Sequence, residues 1–103
     1  MVIRVTVPGR PAFQLRPGEE GISVFVTDAV DSGLDENEVL AAFRPGSFAV
    51  VKSSEEIERT GLGVIGMPGN ESLPQRLRDA HAEIRPGTGM SRPEFKQALR
   101  ELE

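Results

Sequence analysis

A few residues in this chain join a chemically useful side chain to a suggestive position. Arg16 precedes a Pro-Gly-Glu-Glu-Gly turn that ends at Gly21, Ser23 and Phe25 stand in the run Ile22-Ser23-Val24-Phe25-Val26, and His81, the sole histidine, lies two residues before Glu83. A guanidinium fork matches phosphate oxygens bidentately. Ser23 is the polar residue of an otherwise apolar strand, on a face expected to be buried or to line a pocket. His81 and Glu83, at i and i+2 of a strand, point to the same side. A carboxylate there favours a charged imidazolium, so the pair can hold or meet positive charge. Two strands joined by the GEEG turn would set Arg16 and Ser23 along one cleft.

Other patterns lack the context their chemistry needs. Gly61-Leu-Gly-Val-Ile-Gly66 spells GxGxxG, but a dinucleotide loop follows a strand and opens a helix. Here a helix precedes the motif and Met67-Pro68-Gly69 follows it. His81-Ala-Glu83 spells the HxE of zinc deaminases, which also need thiolate ligands, and the chain has no cysteine. No metal is expected. Asn70-Glu71-Ser72 is a glycosylation sequon by letters only, and no GxSxG elbow occurs.

The elements that must position these residues are short. Pro-Gly occurs at 8–9, 17–18, 45–46, 68–69 and 86–87, each expected to form a type II turn. Alternation predicts strands over 2–7, 12–16 and 81–85, and short apolar, β-branched runs predict strands over 22–27, 47–52 and 62–66. Asp35 with Glu38 reads as a capping box opening a helix over 36–43. Ser54 caps a short helix closed by Gly61, and Leu73 to Ala80 form another, with Pro74 near its start. Ser91 with Glu94 opens a C-terminal helix whose Phe95, Ala98, Leu99 and Leu102 form one apolar stripe. The expected fold is a single α+β domain over 1–103. It has a compact mixed, mostly antiparallel sheet of about six short strands with three or four short helices.

The sequence has 103 residues and a formal charge of −4, which argues against nonspecific nucleic-acid binding. No apolar run approaches the roughly 18 residues of a membrane span, and the N-terminus lacks the order of a signal peptide, so a cytoplasmic domain is expected. Charge is uneven. From Pro17 to Phe43 there are seven acids (Glu19, Glu20, Asp28, Asp31, Asp35, Glu36, Glu38) and no base, while from Ser72 to Arg100 six bases (Arg76, Arg78, Arg85, Arg92, Lys96, Arg100) oppose three acids (Asp79, Glu83, Glu94). Two faces that attract one another within the monomer are the plainer expectation; an Arg-rich surface for a phosphate or an acidic partner is the functional one.

Leu15-Arg16, Gly21-Ile22-Ser23-Val24-Phe25, Arg76-Leu77, Ala80-His81, Ile84, Pro86, Met90, Phe95 and Leu99 together resemble type VI secretion effector toxins whose fold is similar to mono-ADP-ribosyltransferases. The resemblance implies a sheet around a cleft, NAD as co-substrate, intoxication of a bacterial cytoplasm, and an immunity or antitoxin protein as partner. It also implies a basic residue on an early strand, Ser or Thr on the next, and Glu on a late strand, all facing the nicotinamide end. Arg16, Ser23 and Glu83 take those roles here, with His81 as an alternative to Glu83. Gly21 and Phe25 complete the cofactor contacts, since no tyrosine is present.

The competing reading is a non-catalytic antitoxin or immunity-type domain whose acidic 17–43 surface occupies a partner's basic site. Expression without the neighbouring gene separates the two: a toxin arrests growth, whereas an immunity protein is harmless alone and protects when paired.

Overall fold

The computed structural model describes residues 1–27 and 34–103, so Asp28 and Asp31 lie outside the described residues. Among the described residues the chain forms β1 (Val2–Thr6), β2 (Ile22–Val26), α1 (Glu36–Leu40), β3 (Phe48–Lys52), α2 (Ser54–Arg59), β4 (Gly63–Gly66), α3 (Gln75–Ala80), β5 (His81–Arg85) and α4 (Arg92–Arg100). The strands build one five-stranded sheet in the order β3-β1-β2-β5-β4, antiparallel at every pairing. The α+β expectation holds, with five strands where six were expected.

The strand that does not form is 12–16. Phe13 and Leu15 are buried and Gln14 and Arg16 exposed, as alternation requires. The backbone, however, is satisfied by side chains instead of a neighbouring strand. Ala12 N and Phe13 N donate to the Glu103 carboxylate at 2.8 and 3.0 Å, and Ala12 O accepts from Arg4 Nε at 2.8 Å. Arg16 N donates to Glu19 Oε1 and Arg16 O accepts from Arg92. Buried backbone polar groups must be paired, but nothing requires that a ladder pair them.

Alternation sorts the sheet's two faces. Val2, Ile22, Val24, Ala82 and Ile84 pack with Phe13, Leu15, Ile57, the α4 residues Phe95, Ala98 and Leu99, and Leu102 just past the helix end. Ile3 and Phe25 face the other way, against Leu34 and Val39 before and within α1 and Leu77 of α3. β1 and β2 therefore feed both cores, as period-2 geometry demands, whereas β5 gives Ala82 and Ile84 to the first core and carries His81, Glu83 and Arg85 on its other face.

Local signals moved by small amounts. The second helix is capped by Ser53, not Ser54, because Ser53 and Glu56 have the reciprocal capping-box spacing and make both bonds. At α1 the Asp35 side chain accepts from Glu38 N at 2.8 Å, but Glu38 Oε1 is taken by Arg76 Nη1 at 2.7 Å instead of closing a box. The α1 helix ends at Leu40, and tight turns then carry the chain to Phe43 ahead of Pro45. Gly9, Gly18 and Gly46 take the positive φ of the expected type II turns, whereas Gly69 and Gly87 do not. Gly87 is required for another reason: a Cβ there would collide with the Gly61 carbonyl.

The helix α4 starts after Ser91, as its capping box predicts, and Leu99 is 1% exposed. Leu99→Ala should cost about 2 to 4 kcal/mol in a denaturant melt, since it removes buried methyl groups and leaves a void. An unchanged midpoint would mean that the stripe is not core.

Candidate functional site

The site begins with a break in the sheet. β1 and β2 are registered only at Val2↔Val26 and Ile3↔Phe25, and the ladder stops before the positions where Arg4 would face Val24 and Val5 would face Ser23. On their outer sides both strands stay paired along their lengths, β1 with β3 from Val2 to Thr6 and β2 with β5 from Ile22 to Phe25. Strands that separate leave carbonyls without partners. Arg4 Nη1 donates to Ser23 O at 3.1 Å while its Nε holds Ala12 O. Burial lowers the Arg4 pKa below the ordinary arginine value; nearby Glu19 and Glu103 oppose that shift and Arg16 adds to it. The group remains a cation at neutral pH.

A cavity of about 360 Å³ opens along this break. Among the described residues its lining includes Arg4, Ser23, Phe25, Phe43, Asn70 and His81, and no carboxylate. Phe25 forms edge-to-face contacts with Phe43 at 6.0 Å and with His81 at 5.7 Å between ring centroids. Asn70 Oδ1 accepts from Ser72 N at 2.9 Å, leaving its amide group to donate. His81 Nδ1 lies 3.1 Å from Met67 O. A carbonyl only accepts, so in the neutral ring Nδ1 carries the hydrogen and Nε2 presents a lone pair. Such a cleft suits a flat ring joined to a neutral or anionic polar group. Ser23 and His81 make no hydrogen bond to each other among the described residues.

The strand register gathers four of the six sequence-selected residues. Ser23 faces Glu83 and Phe25 faces His81 across β2 and β5. Glu83 does not line the cleft: its Oε1 accepts from Arg85 Nε at 2.8 Å, and Arg85 also approaches Glu20 at 3.5 Å. Gly21 sits beneath this ion pair. Arg16 lies in the irregular segment, exposed, with its backbone pinned by Arg92, and it lines none of the described cavities.

Arg4 and Phe43 were not singled out from sequence, and Asn70 drew notice only as part of a sequon. Arg4 reads as the polar half of an alternating strand, and only the β1–β2 break gives it a different task. Phe43 fits the apolar stripe of a longer helix; its position over Phe25 follows from the helix stopping at Leu40.

A larger cavity, about 700 Å³, lies elsewhere, against Val26, Leu34, Val64 and the α2 residues Ser54 and Glu58. Of the sequence-selected residues it holds His81 alone, so size and chemistry point to different places, and the chemistry lies along the break. Compared with family models, curated proteins and solved structures, the chain matches none.

A Cβ added at Gly21 would stand 2.8 Å from Glu83 Oε1, 2.9 Å from Ile84 O and 3.0 Å from Arg85 Cδ. Backbone cannot yield as a side chain does. Gly21→Ala should therefore destabilise the domain by about 1 to 3 kcal/mol and shift the Glu83 and Arg85 amides. A variant with native stability and an unmoved spectrum would contradict that packing.

Proposed function

We propose that the cleft along the β1–β2 break binds the nicotinamide-ribose end of NAD, and that the chain is a bacterial antagonism toxin domain resembling mono-ADP-ribosyltransferases. The observation that carries the reading is the junction of Arg4 with the Ser23 backbone in an aromatic-walled cleft whose lining, among the described residues, holds no carboxylate. The resemblance calls for a basic residue on an early strand and a serine on the next. Arg4, on β1, meets that description better than Arg16, which is on no strand.

In this reading Phe25 and Phe43 flank the nicotinamide ring, Arg4 directs its free N–H groups to a ribose or phosphate oxygen, and Ser23 orients the ribose. Glu83 is the late-strand acid, directly opposite Ser23. Its bond to Arg85 must open before the carboxylate can stabilise the positive charge that develops on the ribose as its bond to nicotinamide breaks and nicotinamide leaves. His81 already lines the cleft and needs no such release. The domain would supply geometry and electrostatics, and the acceptor of the ADP-ribose would complete the reaction.

The immunity-type alternative draws on the acidic 17–43 surface, and several of those acids have partners within the chain. Glu38 pairs with Arg76 at 2.7 Å, Glu20 with Arg85 at 3.5 Å, and Asp35 caps α1.

Titration with millimolar NAD should shift the amides of Arg4, Ser23, Phe25 and His81. No perturbation there would remove the ribosyltransferase reading and promote the immunity one. His81→Ala should keep nearly native stability while NAD binding or growth arrest falls at least tenfold, equivalent to about 1.4 kcal/mol. A well-folded His81→Ala protein that stays fully toxic would end the role assigned to that side chain.

A further inference from the structure

We infer that Arg78 and the loop 67–71 form a second subsite, adjoining the first through His81, that takes a ribose phosphate, the nucleotide half of a larger ligand. The inference deepens the dinucleotide reading above, but its observations are separate.

Among the described residues, Arg78 Nε is the one buried side-chain nitrogen or oxygen that lacks a hydrogen-bond partner. Folded proteins rarely leave such a donor unpaired, least of all on a charged group, unless water, an ion or a ligand completes it. The rest of the guanidinium is lightly held. Arg78 Nη2 donates to Gln75 Oε1 at 2.6 Å, and Gln75 Nε2 in turn donates to Asp79 Oδ1 at 2.7 Å. Gln75 thus stands between Arg78 and the nearest acid of its helix. Turning the guanidinium outward breaks the Gln75 bond and gains a forked contact to a phosphate.

The surrounding cavity, about 530 Å³, is lined by Met67, Gly69, Glu71, Gln75, Arg78 and His81 among others. That volume lies within the range of small-ligand sites. Its floor is fixed: Met67 N donates to His81 O at 3.2 Å and Gly69 N to Arg78 O at 3.3 Å. A Cβ at Gly69 would lie 3.0 Å from Arg78 Cα and 3.2 Å from His81 Cβ, so a side chain there would press the loop away from the end of α3. The wall mixes one cation with the carboxylates of Glu71 and Asp79. Bare phosphate meets that mixture poorly. A ribose phosphate meets both parts, its phosphate oxygens accepting from Arg78 and its hydroxyls donating to the carboxylates. His81 lines this cavity and the aromatic cleft alike, so one extended ligand passing the imidazole would occupy both.

The test titrates the full chain separately with AMP, inorganic phosphate and nicotinamide riboside, following the backbone amides and the Arg78 Nε–H by NMR. AMP should shift Arg78 Nε–H and the amides of 67–71. Arg78→Met should weaken AMP at least tenfold and leave nicotinamide riboside binding unchanged. Arg78→Lys, which keeps the charge and lacks the fork, should weaken AMP as well and covers the case in which the Met variant fails to fold. An unmoved Arg78 Nε–H, or a folded variant that binds AMP as the native chain does, would overturn the subsite. Inorganic phosphate binding as tightly as AMP would overturn the ribose assignment. AMP binding at Arg78 with no response of Ser23 and Phe25 to nicotinamide riboside would uphold the subsite and defeat the NAD reading; the reverse pattern would defeat the subsite alone.

Discussion

The structure turns on one arginine in a gap between two strands. β1 and β2 begin as ordinary antiparallel neighbours at Val2↔Val26 and Ile3↔Phe25 and then part, each kept straight by its outer partner. A parted ladder is costly where water is excluded, because each missing bond leaves a donor or acceptor unsatisfied. Arg4 offsets this cost on both sides of the gap, taking Ser23 O from β2 and Ala12 O from the segment that replaces a sixth strand. Glu103 completes the arrangement from the far end of the sequence by accepting from Ala12 N and Phe13 N. The cleft is thus the space that side-chain hydrogen bonds make tolerable.

The same arrangement explains which parts of the fold were legible in the sequence. Capping boxes and apolar stripes act within a few residues, so the C-terminal helix and its buried face could be read directly from Ser91, Glu94, Phe95 and Leu99. The strands at 2–7, 22–27, 47–52, 62–66 and 81–85 carried their own local signal, alternation in some and a short β-branched run in the others. The segment 12–16 has that alternation too, and its failure to pair depends on Arg4, Glu103 and Arg92, none of them local. Period 2 reports which side chains are buried; it does not report what pairs the backbone.

The candidate site divides along the same line. Ser23, Phe25, His81 and Glu83 share a face because i and i+2 positions of two strands must, and that much followed from spacing. Their register did not, and it is the register that sets Ser23 opposite Glu83 and Phe25 opposite His81. Arg16 drew attention through its neighbours in sequence, while Arg4 occupies the cleft through a break visible only in three dimensions. Charge asymmetry follows the plainer expectation at two places, where Glu38 meets Arg76 and Glu20 meets Arg85.

The most direct check of this account is a cross-strand NOE measurement on β1 and β2. The account predicts contacts at Val2–Val26 and Ile3–Phe25, none between the backbones of Val5 and Ser23, and an Arg4 Nε–H close to Ala12. A backbone contact between Val5 and Ser23, which would continue the ladder, with Arg4 Nε–H exchanging freely with water, would contradict it.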